Sequence, residues 1–429
     1  MNKKNFIPIV LFIFFQVLNC VAQKSTFSPY SQYALGEMNL SAGSQVSGMG
    51  GEAYGLYSSG HINFSNPALA GAINPQSVIF ETGISGRQTF LQHSSDTAVR
   101  YNHVWLSHLA FGFPVFRWWK AGIGFFPYSR MGYNIRTSGS FPNTGIVNFS
   151  STGSGEMDRV SLVNAFTHKG LSAGFTTSYL FGDYYRILKT RFESSGYGNT
   201  FGLLRFDMQN FSDVMFTFGG SITGTLGGGT SSAGVFYEPR TLIRNEYIKI
   251  IYSVDSRYFD DQQTSYIKDT VYYSDNISRI LLPERFGAGL SFEKDNRWIF
   301  KGDFAFVRWS GFYTPVMSYP YRDSRQYSTG VQYSPGTSGS EYGFWKATQY
   351  RFGIFLNETP YSLHGIRIMN NGMTFGMGFP VRRSRSRINF ALELGRTGTF
   401  RKNLYRDDYI RLNFILSMND KWFIREKID

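Results

Sequence analysis

The chain has 429 residues, a formal net charge of +13 and a mean hydropathy of −0.23, although 18% of its residues are aromatic. It holds a single cysteine, which excludes a disulfide framework and a cysteine-rich metal site. After the N-terminus, no apolar run reaches the roughly 20 residues that a membrane-spanning helix needs.

The high aromatic and glycine content indicates strands in which apolar and polar residues alternate. The sequence contains 46 glycines, 41 phenylalanines and 28 tyrosines, yet it is not hydrophobic on average. Alternation explains this combination, because each apolar residue has a polar neighbour, and aromatic belts at two membrane interfaces add further Tyr and Trp. The composition therefore favours a transmembrane β-barrel.

Residues 1–22 have the features of a secretory signal peptide. Two lysines precede an almost wholly apolar run from Phe6 to Val17, and small residues follow at Cys20 and Ala22. We expect cleavage after Ala22, which removes both lysines and lowers the net charge by two, from +13 to +11. Lipidation of Cys20 is the alternative, but the asparagine before it is larger than such sites prefer. Export without a helical anchor leaves the periplasm, the outer membrane or the medium.

The basic charge raises the question of a nucleic-acid partner, against which an exported location argues. The basic residues are scattered along the chain, and the densest group follows Pro380 in a tight turn: Arg382, Arg383, Arg385 and Arg387. Positive loops beside a membrane contact anionic lipid head groups or lipopolysaccharide. We therefore expect membrane lipids and lipopolysaccharide as partners, and no nucleic acid.

Residues 23–76 do not have the pattern of strands. They are rich in Ser, Gly, Asn and Tyr, and their glycine cluster from Ser47 to Gly55 has a loose likeness to a phosphate-binding loop. The cluster lacks the following Lys-Ser/Thr and a preceding buried strand, so nucleotide binding is a poor fit. We expect this segment to form a compact hatch inside the lumen of a barrel.

The clearest strand signal is a hairpin between Phe286 and Trp309, with a polar turn at residues 293–297. Apolar side chains alternate with small or charged ones along both strands. One face carries Phe286, Ala288, Leu290, Phe292, Trp298, Phe300, Phe304 and Phe306, and the other carries Gly287, Gly289, Ser291, Lys301 and Asp303. In a soluble sandwich the large face is the core, whereas in a transmembrane barrel it meets lipid. The hairpin alone does not distinguish a soluble sandwich from a transmembrane barrel.

Alternation recurs through the rest of the chain to its C-terminus. It predicts fourteen strand segments: 78–86, 105–115, 121–133, 159–167, 171–181, 191–208, 215–226, 235–252, 286–292, 298–309, 347–356, 373–379, 388–395 and 409–418. Short links alternate with longer polar ones, the longest being 134–158, 253–285 and 313–346. Short periplasmic turns and long outer loops are typical of outer-membrane barrels. Residues 77–429 are therefore predicted to form an all-β, antiparallel, fourteen-stranded transmembrane barrel with a short C-terminal tail.

Three stretches together resemble the FadL family of outer-membrane transporters for long-chain fatty acids and other hydrophobic compounds. The first is Asn66-Pro67-Ala68, which is similar to the NPA motif of that family's hatch. The second is Gly112 to Tyr133, where a strand ending in Gly-x-x-Pro precedes a glycine-alternating strand and a second proline. The third is the late hairpin from Pro283 to Ser310. The resemblance implies a hatch with Asn66, Pro67 and Ala68 at its motif, and a sideways route for an apolar ligand into the membrane.

The final run from Tyr409 to Asp429 resembles the branch of this family in the Bacteroidetes group, which includes the barrel subunit of type IX protein secretion. The resemblance implies an outer-membrane location in a Gram-negative bacterium. The leading function is passive uptake of hydrophobic small molecules such as long-chain fatty acids, released laterally into the membrane. The alternative is a barrel with a blocked lumen that contacts a protein partner in secretion or in the envelope. A transporter needs an apolar internal pocket and a lateral opening beside the hatch.

Two pairs of residues on the predicted lumen face have two interpretations each. Lys301 and Asp303 form either a structural salt network against the hatch or a ligand contact, and burial requires each to find a partner. Gly287 and Gly289 either leave room for the hatch or mark bends that close the barrel.

Enzyme chemistry has little support in the sequence. The six histidines (His61, His93, His103, His108, His168 and His364) show no metal-binding spacing, and no Gly-x-Ser-x-Gly elbow occurs. A hidden outer-membrane phospholipase would need a Ser and a His on neighbouring strands, for example Ser107 or His108, and nothing in the spacing asks for one. We expect no catalytic residues, no metal and no cofactor.

Overall fold

The computed structural model describes residues 28–38, 43, 45–93, 98–142, 145–193, 201–255, 267–314, 316, 319–336, 343–381 and 384–421. The predicted signal peptide with Cys20, two of the clustered arginines (Arg382 and Arg383) and the C-terminal tail from residue 422 lie outside these residues. No described helix is long and apolar enough to cross a membrane.

The described strands form one antiparallel sheet. They are β1 Glu37–Met38, β2 Ser77–His93, β3 Val99–Pro114, β4 Trp119–Phe141, β5 Gly145–His168, β6 Leu171–Glu193, β7 Phe201–Leu226, β8 Gly229–Glu238, β9 Thr241–Asp255, β10 Ile267–Leu282, β11 Glu284–Lys294, β12 Trp298–Arg308, β13 Ser324–Tyr333, β14 Gln349–Leu363, β15 Ile366–Pro380, β16 Arg387–Gly398 and β17 Tyr405–Lys421. Short helical turns lie at Pro29–Gln32, Val46–Gly48, Pro67–Ala72, Trp309–Gly311, Phe344–Ala347 and Arg401–Asn403.

The sheet closes into a barrel because β17 pairs with β2 along its whole length. β8 and β9 together act as one barrel strand, and β10 and β11 together act as the next. Each of these two strands is interrupted at a proline, Pro239 or Pro283, which has no backbone N–H to donate to the ladder. Counted in this way, the barrel has fourteen strands, which confirms the predicted fold class.

The predicted strand count is correct, but two errors cancel in it. The predicted segments 191–208 and 215–226 both fall on β7, because the polar stretch from Gln209 to Asp213 interrupts its hydrophobic pattern. No segment was predicted at β13, whose outward face carries Arg325 and Thr329 and therefore lacks a strong apolar signal. β13 joins β12 to β14 and completes the wall.

The predicted outer loop 253–285 is wrong where it contains β10, and the predicted outer loop 134–158 is wrong as well. Residues 134–158 continue β4 and β5, which pair up to Phe141 and Gly145. β4 to β7 have 23 to 26 residues each, whereas about 9–11 suffice for one strand to cross a bilayer. The strands therefore extend past the barrel rim as a sheet on the side opposite the short turns, and β9 and β10 continue this sheet.

The predicted facing of the late hairpin is confirmed. Phe286, Leu290 and Phe300 are 40%, 65% and 47% exposed on the outside, whereas Lys301 and Asp303 are buried on the inside. Exposed aromatic side chains also lie beside the short turns, at Trp118 and Trp298, where a membrane interface places its aromatic belt. The apolar face is thus the outer surface of the barrel.

Candidate functional site

The Asn66-Pro67-Ala68 motif starts a short 3-10 helix that packs against inward-facing residues of the wall. The Asn66 side chain caps this helix by accepting a hydrogen bond from the Ala68 N–H at 3.1 Å. Its amide donates to the Tyr54 carbonyl at 2.8 Å and to the Gly220 carbonyl of β7 at 3.3 Å. Proline at the first helical position suits the helix because that N–H has no partner to lose. Asn66 therefore joins two parts of the N-terminal segment to the wall.

Lys301 and Asp303 lie together on the inner face of β12. The Lys301 ammonium is 2.8 Å from the Asp303 carboxylate, and both side chains are almost fully buried. Lys301 also donates to the Ser328 hydroxyl at 3.0 Å and to the Glu52 carbonyl. Asp303 accepts from the Tyr54 N–H at 2.7 Å. The pair is thus satisfied within itself and by the backbone of the N-terminal segment.

Arg285, at the start of β11, holds the same stretch of the N-terminal segment through side chains. Its guanidinium donates to the Tyr54 hydroxyl at 2.6 Å and lies 3.4 Å from the Glu52 carboxylate. Burial raises the pKa of Glu52, which the positive charge of Arg285 opposes. The Tyr54 ring packs on Phe236 of β8 with 4.5 Å between ring centroids. Charge and ring packing therefore anchor residues 52–54 at one place on the wall.

Glycines on the inner face leave the space that the N-terminal segment occupies. A Cβ on Gly289 would meet the Asp303 carboxylate, which accepts from the Tyr54 N–H, and would lie 2.6 Å from the Gly55 backbone nitrogen. A Cβ on Gly174 would lie 2.7 Å from the Pro67 carbonyl carbon. A Cβ on Gly287 would instead meet the Phe236 ring at 2.6 Å. Gly289 thus provides clearance for the segment, whereas Gly287 provides it for a neighbouring side chain of the wall.

We predict that Gly289→Ala displaces the N-terminal segment at residues 52–57 and costs about 1–3 kcal/mol, as overpacking does. Gly302→Ala is the matched control, because a Cβ there meets no atom within 4 Å. Hydrogen exchange and urea unfolding of the barrel in lipid vesicles measure both variants. Equal exchange of residues 52–57 in the two variants would contradict the prediction.

A second charged group joins the N-terminal segment to the barrel wall at β1, the two-residue strand of that segment. Arg87 of β2 and Arg411 of β17 are direct neighbours in the sheet and face inward. Glu37 contacts both guanidinium groups, and Arg411 lies 3.7 Å from it. Glu393 of β16 holds the other side of Arg411 at 3.3 Å. The two adjacent guanidinium groups repel each other, and Glu393 alone supplies one negative charge for two positive ones. Glu37 therefore supplies the second negative charge.

The described residues enclose a cavity of about 180 Å³ between the N-terminal segment and the wall. Charged side chains from both sides line it: Glu37, Glu52, Arg87, Arg285, Glu393 and Arg411. These charges already pair with one another, Glu37 with Arg87 and Glu52 with Arg285. Apolar side chains line the rest of the cavity, among them Met38, Trp309 and Phe355. The cavity is therefore of mixed character, with paired charges beside apolar surface.

The wall opens between β3 and β4. Their ladder runs only from Pro114↔Lys120 to Leu109↔Phe125, although β3 continues to pair with β2 and β4 with β5. Pro127 follows the last pair, and β4 is then buried on both sides from Phe126 to Tyr133. The N-terminal segment takes the place of β3 along this stretch, with β1 pairing to Ser129 and Arg130.

Side chains span the opening between the two separated strands. The Arg130 guanidinium of β4 lies 4.7 Å from the centroid of the Trp105 ring of β3. The His108 and Phe126 rings stack with 6.1 Å between centroids. The opening beside the N-terminal segment is thus present in the backbone and covered by side chains.

A buried polar group near the short turns accounts for two of the histidines. His61 Nδ1 lies 2.9 Å from Glu81, which also accepts from the Ser417 hydroxyl at 2.7 Å. Burial lowers the pKa of His61 against the opposing effect of Glu81. His108 has Ser107 at 2.9 Å from Nδ1, but its Nε2 is 3.9 Å from Glu81 and the ring is buried. No set of three potential metal ligands occurs among the described residues.

A broad concavity of about 1600 Å³ lies on the outer, apolar surface of the barrel. Gly302 of β12 is at its floor and is exposed. Bulky side chains rise around it, at Leu290, Phe300, Phe304, Tyr327 and Ile354. The large apolar space in the described structure therefore faces the membrane.

Several contacts in the lumen were not predicted from the sequence. Arg87, Arg285 and Arg411 are at positions where strand alternation places them inward, so the pattern held a signal for them. Glu37 and Glu52 carried none, because the segment that contains them is not a regular strand. Their arginine partners are more than 45 residues away in the sequence.

Comparisons with solved structures find the same fold in channels for small apolar compounds. CymD, a monoaromatic hydrocarbon channel, has a TM-score of 0.57 and 13% identity, with 90% of this chain and 99% of that chain covered. TodX, a toluene transporter of P. putida, has a TM-score of 0.55 and 14% identity, with coverage of 84% and 94%. TbuX, a toluene transporter of Ralstonia pickettii, has a TM-score of 0.53 and 13% identity, with coverage of 89% and 98%.

These likenesses establish the fold alone, given their low identity. They agree with the expected barrel fold, and these neighbours are channels or transporters. A family model described as BamG matches residues 1–429. No curated protein matches the chain.

Proposed function

The chain belongs to the BamG family, and we propose that it is a plugged barrel of the Gram-negative outer membrane that serves envelope assembly or secretion by contacting another protein. Residues 23–76 act as the hatch in this proposal, with Asn66, Pro67 and Ala68 at its hinge to the wall. Lys301 and Asp303 are structural residues that hold the hatch, not ligand contacts. No catalytic step, metal or cofactor is part of this function.

The observation that carries the proposal is the charged group at Glu37, Arg87 and Arg411, which joins the N-terminal segment to the wall. It lies at the level at which the wall opens between β3 and β4, and the neighbouring cavity is small and lined in part by charges. An apolar solute that entered this cavity would have to pack beside buried charges, which is unfavourable. The apolar surfaces of the barrel face outward, where a partner or lipid can cover them.

Passive uptake of hydrophobic small molecules is the second candidate. The opening between β3 and β4 favours it, because a gap in the wall beside the hatch is what lateral release requires. The fold shared with hydrocarbon channels also supports it. In this alternative the ligand is a long-chain fatty acid or another apolar compound, and Met38 stands beside the route at the opening.

Uptake of labelled oleate and toluene by cells separates the two candidates. The host outer membrane should lack its own transporter for such compounds and should carry the chain at a measured level. We predict the same uptake rate with and without the chain, because buried charges line part of the described cavity beside the opening. A rise in uptake that Met38→Trp abolishes by narrowing the opening would overturn the proposal in favour of transport.

Membrane lipids and lipopolysaccharide are further partners in this proposal, with lipopolysaccharide at the outer leaflet. Arg385 lies within the turn after β15 and Arg387 begins β16, on the side of the short turns, where phospholipid head groups are the anions within reach. Arg387 donates to the carbonyls of Ala347 and Gly378 at 3.3 and 3.4 Å, so the structure uses part of its charge. A single arginine side chain near a charged membrane surface contributes about 1 kcal/mol of attraction.

A further inference from the structure

The sheet that extends past the barrel rim has two edges with different chemistry. β4 forms one edge, and β10 forms the other, with β5, β6, β7 and β9 between them. Along β10, the described residues show ladder partners on β9 only, up to an isolated bridge between Leu281 and Tyr313 near the rim. A strand edge of this kind presents a row of backbone N–H and C=O groups without a neighbouring strand.

The β10 edge carries large apolar side chains in water. Tyr273 and Ile277 are 60% and 68% exposed on the outer side, and Tyr272 is 47% exposed on the inner side. From Tyr272 to Leu282 the pairing with β9 is regular, whereas two register shifts lie nearer the tip. The regular stretch is an edge without a register shift, on which Tyr272, Tyr273 and Ile277, residue types that favour strands, stand among polar residues. Such an edge is a site for strand addition.

The β4 edge at the other side of the same sheet is protected. Beyond Tyr133 it reads Asn134-Ile135-Arg136-Thr137-Ser138-Gly139-Ser140 and is mostly polar and exposed. Nearer the barrel, β1 and the residues before it already pair with this edge. Polar, charged and covered edges are the usual means of preventing strand addition. The β10 edge also carries charges, at Asp275 and Arg279, but in the described residues no strand covers it from Tyr272 to Ile280, and Tyr273 and Ile277 are exposed beside those charges.

We propose that the β10 edge from Tyr272 to Ile280 receives an extended segment of a partner protein, which adds as a further strand to the sheet outside the membrane. This inference rests on the proposed function and names the chemistry of its partner. Backbone hydrogen bonds supply the binding, and side chains on the two faces supply the selectivity. Nine residues of strand span roughly 30 Å, enough for a strand of ordinary length.

The side chains of β10 define the partner's pattern. On the outer face, Tyr273, Asp275, Ile277 and Arg279 follow one another at every second residue. An added antiparallel strand places its side chains directly opposite them, where opposite charges and apolar pairs stabilise. The partner segment therefore alternates, with an apolar residue opposite Tyr273, a basic one opposite Asp275, an apolar one opposite Ile277 and an acidic one opposite Arg279.

Site-specific crosslinking in intact cells tests the proposal. Cys20 is the only cysteine and precedes the expected cleavage site, so one engineered thiol labels one position. Asn276→Cys places a thiol-linked benzophenone on the β10 edge, and Ser138→Cys places it on the β4 edge as the matched control. We expect a discrete adduct with one other protein from Asn276→Cys and none from Ser138→Cys.

A blocking variant makes the result specific to the strand edge. Tyr273→Lys with Ile277→Lys replaces two exposed side chains with charges of the kind that protect natural edges, and we expect the adduct to fall by about tenfold. Backbone amides of residues 272–280 should also exchange about tenfold more slowly in native membranes than in the purified barrel, as added hydrogen bonds protect them.

Each outcome decides the proposal. An adduct with the mass of two copies of this chain would overturn it in favour of self-association. The absence of an adduct, or an equal one from Ser138→Cys, would also overturn it. The uptake experiment is independent of this result: oleate uptake together with a specific β10 adduct would refute the proposed function but leave the edge contact standing.

Discussion

Replacing Asp303 with leucine is expected to destabilise the barrel by about 3–5 kcal/mol, because it leaves the Lys301 ammonium buried without its counter-charge. The ammonium is 2.8 Å from the carboxylate, and both side chains are inaccessible to water. The substitution also removes the acceptor for the Tyr54 N–H. Urea-induced unfolding and refolding in lipid vesicles measures the free energy of unfolding.

Two further variants separate loss of charge balance from loss of the contact with the N-terminal segment. Lys301→Met with Asp303→Leu removes both charges and should recover much of the stability, since buried pairs are often replaceable by apolar residues. It should still loosen residues 52–54, which hydrogen exchange detects. Asp408→Asn, which breaks an exposed pair with Arg396, is the control and should cost about 1 kcal/mol or less. Equal costs for Asp303→Leu and Asp408→Asn would refute the structural role.

The second large effect is expected at Phe304→Arg on the outer face of β12. Phe304 lies near the middle of the strand and packs on Tyr327 with 5.3 Å between ring centroids. An arginine near the bilayer midplane of a barrel costs about 2–4 kcal/mol, because its charge must leave water or draw water into the membrane. The same vesicle-based unfolding assay measures the change.

Thr137→Arg gives the matched comparison. Thr137 is exposed on the part of β4 that extends beyond the rim, where an added charge stays in water. We expect a change within about 0.5 kcal/mol there, as for most surface substitutions. A neutral Phe304→Arg would mean that the outer face of β12 does not meet lipid, and the membrane-facing assignment would be wrong.

Strand alternation carried most of the fold prediction, and its failures have physical causes. The late hairpin and the final strand have apolar residues at every second position, so period two was visible without the structure. β13 carries Arg325 and Thr329 outward and was missed, because a strand with polar residues on both faces resembles a loop. Residues 134–158 were assigned to a loop for the same reason, since strands that leave the membrane no longer need an apolar face.

The residues of the candidate site also fall into two groups, those that local sequence predicts and those that only the structure shows. Local sequence was sufficient to select Asn66, Pro67 and Ala68 and to place Lys301 and Asp303 on the inner face. It was not sufficient to find Glu37 and Glu52, whose roles exist only because a closed barrel brings them to arginines far away in the chain. The charges that line part of the lumen cavity therefore became apparent only in the structure.

The sequence by itself determined that this protein is an aromatic-rich, alternating-strand barrel, because side-chain facing in a strand follows from position parity alone. Only the tertiary structure decided where the barrel opens, which charges join the N-terminal segment to the wall, and which edge of the extended sheet has no neighbouring strand among the described residues. Those features depend on register between strands and on contacts between distant segments. A change of one residue in register reverses every facing, and no local pattern encodes that choice.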